Sequence, residues 1–185
     1  MLKEYKLEIE QIVLHYDPLE LERWRLGDPS LVPEKVLNGK GPGMANSYGY
    51  GEYFVQRNLT SKGHDVIAND YDIYSKKSKY RENNLLIEEA LGQDNYSRLQ
   101  SVLRNIANDG VKLEQPDLCI IKPELYFAEV KKGRDYLRNP QKVFSIVLWE
   151  LLKVPFKVYK LVPYGKSYNI SSLEGRAVLE SDHFE

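Results

Sequence analysis

Apolar residues come in short, differently spaced runs along this chain. Leu2, Tyr5, Ile9, Ile12, Val13 and Tyr16 recur at helical spacing, while Leu7, Ile9 and Val13 also allow a strand; the spacing favours a helix. Asp17-Pro18 with Glu20 reads as a capped start for a short helix ending near Arg25. Gly and Pro residues from Gly27 to Gly43 then break any regular pattern, which predicts connecting loop up to Met44. A helix is predicted from about Gly49 to Ser61, stopped by Gly63, and a strand from His64 to Ala68. Two more helices follow, Glu82 to Gly92 and Asn95 to Asn108, the second carrying the stripe Leu99, Val102, Leu103 and Ile106. Two short apolar runs within Gln115 to Lys131 (QPDLCIIKPELYFAEVK) read as paired strands around a Pro-bearing turn. An almost wholly apolar helix opens at Asn139-Pro140, and Phe156 to Val162 alternates as the last strand. From Tyr164 the chain turns polar, a tail expected to fray at its end.

The paired strands carry the chemistry. Side chains alternate across a strand, so Glu129 and Lys131 share a face, roughly 7 Å apart, and Val130 points the other way. A two-residue loop at Pro123 and Glu124 would set Asp117 opposite Val130. A three-residue loop or one bulge sets it opposite Glu129 or Lys131 instead, so odd loop parity is expected. Two carboxylates and an amine would then converge. Carboxylates suit a hard divalent cation such as Mg²⁺, which activates water and neutralises a phosphodiester, and an adjacent ammonium steadies the nucleophile or the developing anion. The plainer reading is a surface hairpin with an ordinary Glu and Lys across the strands.

Glu52 falls on the same helix face as Val55, Gln56 and Leu59, where a carboxylate wants a cation or a hydrogen-bond donor; otherwise it serves the helix dipole in the first turn. Lys131, Lys132, Arg134, Arg138 and Lys142 face only Asp135 as a local acid, a run suited to phosphate contacts. Ser75 to Arg81 is a second basic run interleaved with tyrosine, as compatible with a solvated loop as with nucleic acid. Asn69 to Asp72 and the pair Glu88 and Glu89 are read as turn formers and surface, and His15 and His183 as structural.

Composition narrows the picture. At 185 residues the chain fits one domain, and a formal charge of −1 supplies no global basic field, so nucleic-acid binding would depend on local patches. Cys119 is the single cysteine and excludes an internal disulfide, which suits a reducing compartment. No apolar run approaches the ~20 residues that span a bilayer, and the first residues lack a signal-peptide core. A cytoplasmic protein without membrane contact is expected.

Pro116-Asp117, eleven residues, then Glu129-Val130-Lys131 resembles the PD-(D/E)XK nuclease superfamily. The continuation from Gly133 to Val162 is similar to its VRR-NUC branch, in which EVK leads through an Asp/Arg-rich loop to a helix opening near a Gln, here Gln141. The likeness spans roughly Tyr48 to Val162. It implies an α/β fold with a restriction-endonuclease-like core, a mixed central sheet flanked by helices. Residues 1–45 would be an N-terminal extension, 46–165 the nuclease-like domain and 166–185 a C-terminal tail. It further implies Asp117, Glu129, Lys131 and Gln141 as catalytic residues, with Glu52, Asp117, Glu129 and Val130 at Mg²⁺ or Mn²⁺. Lys132, Arg134, Arg138 and Lys142 would contact nucleic acid, DNA ahead of RNA. The expected activity is phosphodiester hydrolysis in repair, recombination or defence, with a homodimer or a larger complex as candidate assembly. The alternative is a catalytically silent nucleic-acid-binding or interaction module on the same fold.

Overall fold

A computed structural model describes residues 1–40, 49–74 and 77–184. Six strands form one mixed sheet: β1 (Leu2–Tyr16), β2 (Asp65–Ala68), β3 (Leu118–Lys122), β4 (Tyr126–Lys132), β5 (Phe156–Pro163) and β6 (Leu173–Glu180), in the order β2-β3-β4-β5-β1-β6. The central strands β4, β5 and β1 run parallel to one another; β2 and β3 on one side and β6 on the other are antiparallel to their neighbours.

Helices cover both faces. One face packs α1 (Pro18–Arg25) and α3 (Tyr50–Thr60) through Leu21, Trp24, Tyr50, Val55 and Leu59 onto Leu118, Ile120, Ala128 and Leu161. The other packs α4 (Arg81–Leu91), α5 (Gln93–Asn108) and α6 (Asn139–Leu152) onto Cys119, Phe127, Phe156 and Val158. The stripe expected on α5 is buried, including Leu99, Leu103 and Ile106. Asp17 caps α1, its carboxylate accepting the Leu19 N–H at 2.8 Å. Among the described residues no helix is long and apolar enough to cross a membrane.

Three expectations are corrected. Residues 2–16 are a strand rather than a helix: the first half pairs with β6 and the second with β5, satisfying its backbone on tertiary partners that helical spacing cannot reveal. Phe156–Pro163 is not the last strand, because β6 follows it. Thus the segment set apart as an extension and the one set apart as a tail both supply strands to the sheet that holds β4. Finally, the stretch expected as loop contains α2 (Glu34–Lys40); the rest of that stretch, 41–48, lies outside the described residues, as do Ser75 and Lys76 of the second basic run.

Candidate active site

The hairpin sets the geometry. Leu118 pairs with Ala128 and Ile120 with Tyr126 around a three-residue turn, so the next position outward puts Asp117 opposite Glu129. That is the odd parity the chemistry requires. Asp117 is anchored from three sides: its Oδ2 accepts the Val130 N–H at 2.9 Å, its carbonyl accepts the Asn69 N–H at 3.0 Å, and the preceding Pro116 carbonyl accepts the Tyr71 hydroxyl at 2.6 Å. Gln115 ties the same corner to the 71–73 segment, donating to the Tyr71 carbonyl and accepting the Ile73 N–H.

Glu129 is 2 % exposed. Its Oε1 accepts Lys131 Nζ at 2.9 Å and Gln141 Nε2 at 2.5 Å. Its Oε2 is buried and receives no hydrogen bond from a fixed donor, while the Asp117 carboxyl can share a proton with Glu129. A buried carboxylate oxygen left unpartnered is costly, and a cation would relieve that cost. Burial and then the Glu129 charge push Asp117 well above the usual carboxylate range, against the pull of the Val130 N–H. Burial also raises Glu129, opposed chiefly by Lys131. Two acids held this close in a dry corner favour a shared proton or a metal ion.

Val130 contributes through its backbone. Its side chain packs on the α3 face, while its N–H reaches Asp117, so its carbonyl lies on the same strand edge, beyond the end of β3. Glu52 approaches from the α3 side. Gly51 allows this: a Cβ there would lie 3.0 Å from Val130 Cγ1 and 3.4 Å from Leu161 Cδ1, so the first turn of α3 rests directly on β4 and β5. Burial raises the Glu52 carboxyl, and Asp117 is the next largest cause. Among the described residues no three His, Cys, Asp or Glu side chains gather closely enough to hold a metal by themselves. Residues that could hold a divalent ion at this corner are Asp117, Glu129 and the Val130 carbonyl, hard oxygens of the kind Mg²⁺ and Mn²⁺ take.

Lys131 is nearly fully buried and also lies 3.6 Å from Asp135 Oδ2. Gln141 is 1 % exposed and committed at both ends: its Oε1 accepts the Arg138 N–H that opens α6, and its amide donates to Glu129. It thus positions Glu129 rather than reaching outward. The four residues expected to contact nucleic acid diverge. Arg134 is exposed in the β4–α6 loop, and Arg138 pairs with Glu114 at 2.5 Å. Lys132 is half-buried, its Nζ 5.5 Å from the centre of the Tyr50 ring, with its pKa lowered by burial; Lys142 is half-buried at the start of α6.

Sequence reasoning missed two residues. Tyr71 supports Asp117 from a segment read only as a turn. Lys160 pairs in register with Lys131, is 5 % exposed, and donates to the carbonyls of Gly133 and Asp135 at 2.8 and 2.9 Å. Strand parity could have found it, since Lys160 shares a face with Phe156, Val158 and Val162, and a lysine on an apolar face needs acceptors.

Comparison of the chain with protein-family models, curated proteins and solved structures gives no match.

Proposed function

We propose that the chain is a divalent-metal-dependent nuclease with a restriction-endonuclease-like core, hydrolysing phosphodiester bonds of nucleic acid, DNA first. The observation that carries this reading is the facing pair of half-buried Asp117 and buried Glu129, with no fixed donor on Glu129 Oε2 and Lys131 on the same side chain's other oxygen. Asp117, Glu129 and the Val130 carbonyl would hold the ion. When bound, Mg²⁺ or Mn²⁺ supplies charge neutralisation at the phosphate and a lowered pKa for its water.

The remaining steps belong to the chain. Lys131 presents its ammonium at the carboxylate pair, oriented by Glu129 and Asp135, where it can orient the attacking water and offset developing negative charge. Gln141 fixes the Glu129 rotamer and so fixes which oxygen remains open. Glu52 adds negative charge from the opposite face of the sheet and can hold a water against the site. Arg134 offers an exposed cation for a phosphate beside it.

The test is Mg²⁺- and Mn²⁺-dependent cleavage of linear, nicked, flapped and four-way-junction DNA and of RNA, by wild type, Asp117→Asn and Lys131→Met. Cutting that requires metal and vanishes in both variants, with circular dichroism unchanged, supports the nuclease. Failure of well-folded wild type to cut any substrate with either ion transfers the reading to a non-cleaving binding module.

A further inference from the structure

Among the described residues, the exposed tyrosines are Tyr136, Tyr164 and Tyr168, in the loops that follow β4 and β5. These loops leave the carboxyl ends of neighbouring parallel strands, the end at which Lys131 also lies. Open α/β sheets bind ligands at that end.

The two loops are joined through Lys160. Its Nζ lies 5.4 Å from the centre of the Tyr168 ring, and it also donates to the Asp135 carbonyl, the peptide that leads into Tyr136. Lys160 pairs directly with Lys131, so this junction stands one strand spacing, ~4.8 Å, from the lysine of the candidate site. The loop after β5, YGKSYNISS, contains no acid and adds Lys166 and an exposed Ile170. Lys160 is buried and holds the loops together, while Arg134 and Lys166 are exposed cations on them and Asp135, turned to Lys131, is the one acid. Exposed aromatic rings on loops that carry exposed cations match a surface for unpaired bases: rings stack on the bases and cations neutralise the phosphates. Stacked bases within a duplex do not offer their faces to such rings, so the surface selects single strands.

Tyr164 stacks on His15, ring centres 6.1 Å apart, which leaves Tyr136 and Tyr168 on the side of the candidate site. We propose that Tyr136 and Tyr168 form a stacking platform for a single-stranded segment of nucleic acid, delivering its backbone to Lys131 and the facing carboxylates. This deepens the nuclease reading and rests on it for the delivery step; the platform itself is tested by binding alone.

The experiment is fluorescence anisotropy with a labelled oligo-dT strand and a blunt duplex of equal length, in EDTA so that no cutting occurs. Wild type should bind the single strand at least about tenfold more tightly than the duplex. Tyr168→Ala and Tyr136→Ala should each weaken single-strand binding by about tenfold, the value of one lost base stack, whereas Tyr168→Phe should stay within about twofold. Since both tyrosines are exposed, melting temperatures should change little. Duplex binding as tight as single-strand binding, or alanine variants that bind like wild type, would overturn the platform. So would wild type binding neither probe, which would assign the surface to a protein partner. Single-strand binding by the platform in a protein that never cuts would leave the platform standing and remove the nuclease; metal-dependent cutting with unaffected alanine variants would do the reverse.

Discussion

Gln141 Nε2 lies 2.5 Å from Glu129 Oε1, joining the first turn of α6 to the centre of β4. The same side chain accepts the Arg138 N–H, so one amide both caps a helix and sets a carboxylate. Gln141→Ala should therefore have two separable effects. Loss of the cap and of the buried hydrogen bond should cost about 1–2 kcal/mol of stability. Release of Glu129 should lower metal affinity and cleavage about tenfold to a hundredfold, the usual cost of losing a residue that orients a ligand. Denaturant melts and metal titration of the same variant measure the two; unchanged metal affinity would remove Gln141 from the site.

The carboxylate pair predicts an inverted pH dependence for the metal-free protein. The folded Asp117 pKa stands well above its unfolded value, so between those values the native state holds a proton that the unfolded chain releases. The group's stabilising contribution is complete below about pH 4 and is lost as pH rises through the folded value. Thermal melts in EDTA should show wild type losing stability as pH rises above about 4, with Asp117→Asn flatter and more stable at the upper end. Because Asn Oδ1 can still accept the Val130 N–H, a variant less stable than wild type throughout would show that the Asp117 charge is not repelled by Glu129 in the folded state.

The sequence displayed its chemistry more openly than its edges. Asp117, Glu129 and Lys131 could be placed because strand alternation is strict and the acids leave few productive registers. The α5 stripe and the α6 apolar face were equally plain, each bounded by Gly, Pro or Asn. β1 was not, because Tyr5, Ile9, Ile12 and Tyr16 satisfy a helical spacing, and its partners β5 and β6 lie more than a hundred residues away in the chain. β6 was silent for a different reason. Its inward positions include Gly175 and Ala177, with a Cβ at Gly175 falling 3.3 Å from Ile9 Cδ1, so close packing on α6 and β1 leaves little hydrophobic signal. Lys160 escaped because its value depends on register with Lys131, which only the β4–β5 pairing supplies.

Metal should stabilise the folded protein through Glu129. A divalent ion at about a hundred times its dissociation constant adds about 2.7 kcal/mol, which for a chain of this size raises the melting temperature by about 5–10 °C. Glu129→Gln should abolish most of that rise, because the substituted amide brings a donor where Oε2 stood open. Differential scanning fluorimetry with Mg²⁺, Mn²⁺ and EDTA reads this without any substrate. Equal stabilisation of wild type and variant would place the ion elsewhere.

The contact between α3 and β4 can be tested by a double substitution. Alanine is up to about 1 kcal/mol more favourable than glycine in a helix, less in the first turn where Gly51 lies, so Gly51→Ala would ordinarily stabilise slightly. Here the added Cβ would sit 3.0 Å from Val130 Cγ1 and 3.4 Å from Leu161 Cδ1, tighter than most packed carbons, and overpacking of about 1–3 kcal/mol should win. Gly51→Ala is thus expected to lower the denaturant midpoint and, by lifting α3, to loosen Glu52 from Asp117. Val130→Ala removes the Cγ1 atom in question, so the double variant should recover about 0.5–2 kcal/mol relative to the sum of the single changes. Additive single costs would mean that the helix accommodates the methyl by shifting freely, and that Glu52 is not held at the site by this packing.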